Sequence, residues 1–275
     1  AVADRIDHLF GSICPGRIAD ILFVEDLQDF KVDEVMTNGN MIARNHKLTY
    51  ELKAPERSPI FKGELKCAKT TADDFSYHVP IENGEAKVLS LDVKGPFVRK
   101  RRHVILKVKD GIVQPDTEQD AIMVSVVERF GKNGNKSLAF CSGWKLKKGA
   151  MASTNAPDDN NLVVMGANAE DMSFAVNYLI EQGGGQVVVE DGKVIEFLPL
   201  PVGGIVSDEE PEVVAAKEAK IDEAARSLGS DLPNPMMYMF FLPITAIPDY
   251  ALTDAGPVDY CALTTYDPIL ELVEK

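Results

Sequence analysis

LVVMGANAEDMSFAVNYLIEQGGGQVVVEDGKVIEFL, running from Leu162 to Leu198, decides the fold class. Leu162 to Met165 is a short apolar run of the length a buried strand needs. Asn168 then offers an N-cap for a helix through Gln182, with Glu170 and Asp171 in the first turn, where the helix dipole favours negative charge. Met172, Ala175, Val176, Leu179 and Ile180 recur at helical spacing, and Gly183 ends the helix. Gln186 to Glu190 and Lys193 to Leu198, joined by Asp191-Gly192, read as a hairpin. A strand, a helix and an antiparallel hairpin in that order predict an α+β fold in which a mainly antiparallel sheet carries helices.

Working outward toward the C-terminus, a second helix is expected from about Asp208 to Leu228, with Ser207 as cap, Pro211 near the first turn and Gly229 at the C-cap. The apolar stretch Met236 to Pro248 is shorter than the ~20 residues of a membrane span, is interrupted by Pro243, and reads as buried core. Toward the N-terminus, strands are expected at Ala86 to Val93, His103 to Val108, Ile122 to Glu128, Leu138 to Phe140 and Gly149 to Ser153, with Asp110-Gly111 and Asn133-Gly134 as hairpin turns. Earlier still come Ala19 to Val24, Val32 to Thr37 and Asn40 to Tyr50, the last two joined by Asn38-Gly39. Three strands cannot enclose a core, so this segment is expected to complete a sheet made elsewhere. A Pro-containing polar stretch, Ala54 to Ser58, marks the boundary, which gives domains 1–53 and 54–275.

The 29 Lys and Arg against 43 Asp and Glu give a formal charge of −14 over 275 residues. That excludes a general phosphate-backbone binder and an anionic-membrane binder, and leaves a small molecule or a protein as the partner. No charged-then-apolar leader is seen, so a cytoplasmic protein is expected. Cys14, Cys67, Cys141 and Cys261 stand far apart and read as reduced, small buried hydrophobes. His8, His46, His78 and His103 lie outside ligand spacing of one another, so no metal site is expected in this chain. The basic run Arg99-Lys100-Arg101-Arg102-His103 reads as a solvated segment protecting a strand edge. Gly183-Gly184-Gly185 trails a helix C-terminus, whereas phosphate-cradling loops lead into an N-terminus, so these glycines serve the cap and the turn. Two features remain as candidates for a site. The loop Asn155 to Asn161 can present Asp158, Asp159, Asn160 and Asn161 to a pocket, and Glu128-Arg129 closes a strand, where an exposed ion pair is the plain alternative.

Taken in order, several segments resemble a known family. Gly11-Ser12-Ile13-Cys14-Pro15-Gly16-Arg17-Ile18-Ala19-Asp20-Ile21 is similar to the segment that follows the catalytic barrel in the amidohydrolase superfamily and completes its small β-sandwich. Val127-Glu128-Arg129 with the Gly131 to Asn135 turn, Leu146 to Ala150, Glu170-Asp171-Met172, Gly183-Gly184-Gly185 with Val187-Val188-Val189, Leu198 to Pro201 with Gly203-Gly204, and Leu252-Thr253-Asp254 with Gly256 resemble the C-terminal domain of the adenine deaminase family. Phe130, Pro157 and Asn160 stand where that family commonly carries histidines.

The resemblance implies that the chain, which begins without Met, is the C-terminal part of a metal-dependent hydrolase converting adenine and water to hypoxanthine and ammonia. It implies an upstream catalytic barrel holding a binuclear Mn or Fe centre, a purine base as substrate, and a supporting or covering role for this chain. Glu128, Arg129, Asp158 and Asn161 become the substrate-side candidates, expected close together on the face turned to the barrel, with an Arg129–Asp158 pair as the structural alternative. A homo-oligomer is also expected. The competing readings are a non-catalytic assembly domain and a relative that hydrolyses another amine or amide.

Overall fold

A computed structural model of the chain describes residues 1–51, 53 and 63–275. It falls into two compact units, Ala1–Arg57 and Ser58–Lys275. The expected boundary at Ala54 to Ser58 lies outside the described residues.

The first unit is an antiparallel meander of β1 (Ile21–Val24), β2 (Val32–Thr37), β3 (Asn40–Arg44) and β4 (Lys47–Leu48), paired in sequence order. Asn38 and Gly39 have φ of 47° and 76°, the left-handed pair that a two-residue type I′ hairpin turn requires. The expected strand Asn40 to Tyr50 is two strands, because Asn45 and His46 also turn left-handed, at 49° and 60°. None of residues 1–51 is fully buried, which fits a segment too small to own a core.

The second unit is built on one large sheet. Its strands are β5 (Tyr77–His78), β6 (Gly84–Gly95), β7 (Val98–Lys109), β8 (Ile112–Val113), β9 (Ile122–Val127), β10 (Ala139–Ser142), β11 (Ala150–Ser153) and β12 (Leu162–Gly166). After helix α1 (Ala169–Gln182) come β13 (Gly185–Glu190) and β14 (Lys193–Pro199), then helices α2 (Pro211–Ser227) and α3 (Pro235–Phe240). A small sheet of β15 (Tyr250–Thr253), β16 (Gly256–Asp259) and β17 (Thr264–Thr265) precedes β18 (Ile269–Glu274), which rejoins the large sheet beside β6. The large sheet runs β14-β13-β11-β12-β9-β10-β6-β7-β8-β5. Its described pairings are antiparallel except β10 with β6. The fold is therefore α+β with a mainly antiparallel sheet.

Both faces of the central strands are covered, so β9, β10, β11 and β12 are buried at every position, whereas β7 alternates buried and exposed residues from Val104 to Lys109. Ile122, Val124, Val126, Met151, Val163, Met165 and Val188 point to one side, where Ile221 and Ala225 of α2, its C-cap Leu228, and Met236 and Met239 of α3 meet them with Trp144. Met123, Val127, Ala150, Ala152, Leu162, Val164, Val187 and Val189 point to the other, against Met172, Ala175, Val176 and Leu179 of α1. Burying each such side chain contributes about 1.5–3 kcal/mol. Helix α1 starts where expected: Asn168 Oδ1 accepts from Asp171 N at 2.7 Å, and Gly183 caps the other end with φ 78°. Buried Asp171 also accepts from Gly192 N at 2.8 Å, which ties the helix start to the Asp191-Gly192 turn.

Four expectations need correction. Ser207 does not cap α2; Glu210 occupies that position, and the Ser207 hydroxyl accepts from Glu209 N in the approach to the helix. The basic run is the first half of β7, and within it Arg99 is buried at 2% exposure, donating to the carbonyls of Phe241, Ile244 and Tyr250. Burial without a carboxylate partner holds its guanidinium down at about 10. Of the cysteines, Cys141 is buried and Cys67 half-buried, but Cys14 and Cys261 are exposed; all four are free thiols. In the stretch 236–248, Met236, Met239 and Leu242 are core while Met237 is 42% exposed, because the stretch opens as an amphipathic helix. No described helix is long and apolar enough to cross a membrane.

Candidate functional site

The strand register brings the candidate residues to one end of the sheet. Leu162 opposes Val127, Ser153 opposes Val163 and Gln186, and Gly185 opposes Pro199. The exit of β9, the exit of β11, the entry to β12, the entry to β13 and the exit of β14 therefore share an edge. The loops that follow or precede them meet there.

Glu128 sits at the exit of β9 and is 3% exposed. Its Oε1 accepts from Phe130 N at 2.6 Å, and its Oε2 accepts from the N–H groups of Lys132 at 2.9 Å, Gly134 at 3.2 Å and Asn133 at 3.3 Å. The carboxylate thus organises the turn that follows it. Burial alone would raise its pKa, but the four backbone donors together outweigh burial and hold it below the ordinary carboxylate range. With its lone pairs committed to backbone N–H groups, Glu128 lacks the free geometry of a general acid or base.

Arg129 is 1% exposed and equally committed. Its Nε donates to Asn160 O at 2.5 Å and its Nη2 to Gly203 O at 3.1 Å, while its backbone N–H donates to Asn161 Oδ1 at 3.4 Å. The guanidinium carbon lies 4.6 Å from the centroid of the Phe130 ring. Burial lowers the guanidinium pKa, and the charges of Cys67 and Asp159 partly offset this. The pairing with Asp158 considered as the structural alternative is not what braces the loops; backbone carbonyls receive the guanidinium instead. Nor is Glu128-Arg129 an exposed ion pair, since both side chains are buried in separate backbone cradles.

The loop Asn155 to Asn161 is a compact knot. Asn160 N donates to Ala156 O at 2.7 Å, and Asn161 donates from N and from Nδ2 to the two oxygens of Asp159, both at 3.0 Å. Asp158, with φ 75°, is exposed, and Asn160 has φ 51°. Half-buried Asp159 has its pKa raised chiefly by burial, against its bonds from Asn161 and with a further push from Asp254. Asp254 Oδ2 in turn accepts from Asn133 Nδ2 at 3.1 Å and Asn135 Nδ2 at 3.2 Å. Thr154 Oγ1 donates to Gly204 O at 2.5 Å and accepts from Gly185 N at 2.8 Å. A side chain at Gly184 would place its Cβ 2.5 Å from Gly204 Cα, so these two loops touch backbone to backbone.

Glu128, Arg129 and Asn161 are thus joined in one network, and Asp158 lies exposed on the same loop. Asp159, already named in the loop, belongs to it, as do Asp254, Thr154 and Gly204, which were not among the expected site residues. The signal for three of those segments was present in the family-like motifs at Ala156 to Asn161, Gly203-Gly204 and Leu252 to Gly256. What those motifs did not say is that they touch. Among the described residues no group of three or more His, Cys, Asp or Glu side chains could hold a metal ion. The binuclear centre implied by the resemblance does not fit the donor set of the described residues.

The fold and the network define an antiparallel α+β domain whose buried charges brace converging loops. Residues 97–263 match the family model of the adenine deaminase C-terminal domain, and the chain belongs to that family. It is 67% identical over 272 residues to Adenine deaminase 1 of Desulfotalea psychrophila and 50% identical over 272 residues to Adenine deaminase 1 of Latilactobacillus sakei. It is also 50% identical over 271 residues to Adenine deaminase 4 of Rhizobium meliloti. These alignments cover 98–99% of this chain but 45–46% of each relative, so the chain spans a little under half the length of the curated relatives it matches.

Proposed function

We propose that this chain is the C-terminal portion of an adenine deaminase-type hydrolase that converts adenine and water to hypoxanthine and ammonia. The observation that carries the reading is 67% identity, extending over 99% of the chain, to a protein named Adenine deaminase 1. In this reading the catalytic barrel and its binuclear Mn or Fe centre lie in the upstream portion of the whole protein. The present chain supplies a rigid wall of loops to that barrel. Glu128 and Arg129 act as positioning residues, because both are buried and their polar atoms are occupied by backbone partners. Phe130 at 40% exposure and Asp158 are what the braced loops present outward.

The test is an ammonia-release assay on adenine. The whole protein, supplied with Mn²⁺ or Fe²⁺, is expected to turn over adenine, and this chain alone with the same metals is expected to give only background. Failure of the whole protein on adenine with turnover of another amine or amide would replace the substrate. Turnover by the isolated chain would overturn its reading as a supporting module.

A further inference from the structure

Asn38-Gly39 closes the β2–β3 hairpin, and the deaminase reading leaves unused the chemistry that such a pair carries. In an Asn-Gly pair the glycine nitrogen can attack the Asn side-chain carbonyl, because no Cβ shields that nitrogen. The bond from Gly N to Asn Cγ forms, the Cγ–Nδ2 bond breaks, and the proton of the glycine N–H leaves with the amide nitrogen as ammonia. Water then opens the cyclic imide at one carbonyl or the other, giving aspartate or isoaspartate with no oxidant or reductant. The attack needs a side chain free to swing onto the main chain and a glycine nitrogen released from its hydrogen bond.

The chain has three Asn-Gly pairs, at 38–39, 83–84 and 133–134, and the structure holds them differently. Asn133 is fixed at both ends of its amide: Nδ2 donates to Asp254 Oδ2 at 3.1 Å, and Oδ1 accepts from Asn135 N at 2.8 Å. The nitrogen that would attack it, Gly134 N, donates to Oε2 of buried Glu128 at 3.2 Å. Gly84 stands inside the large sheet, paired with Val108 of β7 and Glu274 of β18, and a Cβ there would lie 2.1 Å from Val273 O. Asn38 is exposed, and among the described residues its side-chain amide has no hydrogen-bond partner. Gly39 N donates to Ala19 O at 3.0 Å, but a Cβ on Gly39 would meet nothing within 4 Å, and none of residues 1–51 is fully buried. Local opening that releases the attacking nitrogen therefore costs least at Gly39.

We propose that Asn38 is a self-modification site, converting to aspartate and isoaspartate, and that the conversion loosens the β2–β3 hairpin. Isoaspartate adds a main-chain carbon to the two-residue turn that sets the Thr37–Asn40 pairing. Either product puts a negative charge on the residue whose N–H donates to Asp20 Oδ1 at 2.7 Å. The assignment stands independently of the adenine reading.

The test incubates the full 275-residue chain at mildly alkaline pH, native and in denaturant, and follows each Asn-Gly pair by peptide mapping with mass spectrometry. In the native chain Asn38 should convert at least fivefold faster than Asn83 and Asn133, and in denaturant the three rates should fall within twofold of one another. In the converted chain hydrogen exchange over residues 32–44 should be faster, with residues 120–200 unchanged. Conversion of Asn83 or Asn133 as fast as Asn38 in the native chain, or the same lead for Asn38 in denaturant, would overturn the assignment. Unchanged exchange over residues 32–44 would overturn the loosening.

Discussion

Replacing Glu128 with Gln separates bracing from chemistry. The carboxylate accepts on both sides: Phe130 N–H on Oε1, and the N–H groups of Lys132, Asn133 and Gly134 on Oε2. A glutamine has one acceptor oxygen. If that oxygen serves the three donors, its NH₂ faces the Phe130 N–H across a contact that was 2.6 Å. Stranding one buried donor costs about 1–3 kcal/mol, and converting charge-assisted bonds to neutral ones adds roughly 1 kcal/mol. The expected loss is about 2–4 kcal/mol, a fall in Tm of roughly 5–12 °C for a domain of this size.

Thermal melts across pH add a second readout. The folded pKa of Glu128 is depressed, so its stabilisation is fully present above the ordinary glutamate value of about 4.3. It is lost as pH falls through the depressed folded value. The gap in Tm between wild type and Glu128→Gln should therefore be constant from pH 8 to about 5 and close below that. In the whole protein, the folded fraction should keep its specific activity. A variant that melts within about 1 °C of wild type at pH 7 yet loses most of its turnover would refute the bracing argument and return Glu128 to the chemistry.

Three further outcomes are expected. Gly184→Ala should destabilise far more than Gly192→Ala, since Gly184 has φ 119° and a backbone neighbour 2.5 Å from the added carbon, whereas Gly192 at φ 67° has nothing within 4 Å; chemical denaturation of both variants checks this, and equal losses would refute it. In the native chain iodoacetamide should label Cys14 and Cys261 and spare Cys141, whose thiol pKa is driven up by burial, with mass spectrometry as the readout and early labelling of Cys141 as the contrary result. Hydrogen exchange should find residues 11–50 less protected than 120–200, because none of residues 1–51 is fully buried, and equal protection would contradict that.

Much of the fold was legible because local chemistry agreed with global packing. The Asn168 cap, the helical spacing of Met172 to Leu179, and the Asn38-Gly39, Asp110-Gly111 and Asp191-Gly192 turns each carry their own geometric reason, and each stands where it was expected. The strand β18 escaped notice because Ile269 to Glu274 is a short mixed sequence, stabilised by pairing with β6 nearly two hundred positions away. Arg99 escaped for a related reason. A basic run looks solvated in sequence, and only the contact of β7 with the loop after α3 supplies the carbonyls that make one member of the run a core residue.

The site was legible in its membership more than in its roles. Glu128, Arg129 and Asn161 are polar residues among apolar strands, and that contrast marks them without saying whether they meet a ligand or the protein's own backbone. The deciding facts are nonlocal. Arg129 receives Asn160 O from a loop 31 residues ahead and Gly203 O from one 74 residues ahead, and the register of β9, β12, β11 and β13 is what delivers those carbonyls to it. Charged type and deep burial therefore point away from direct chemistry here, since the groups capable of it are already bonded.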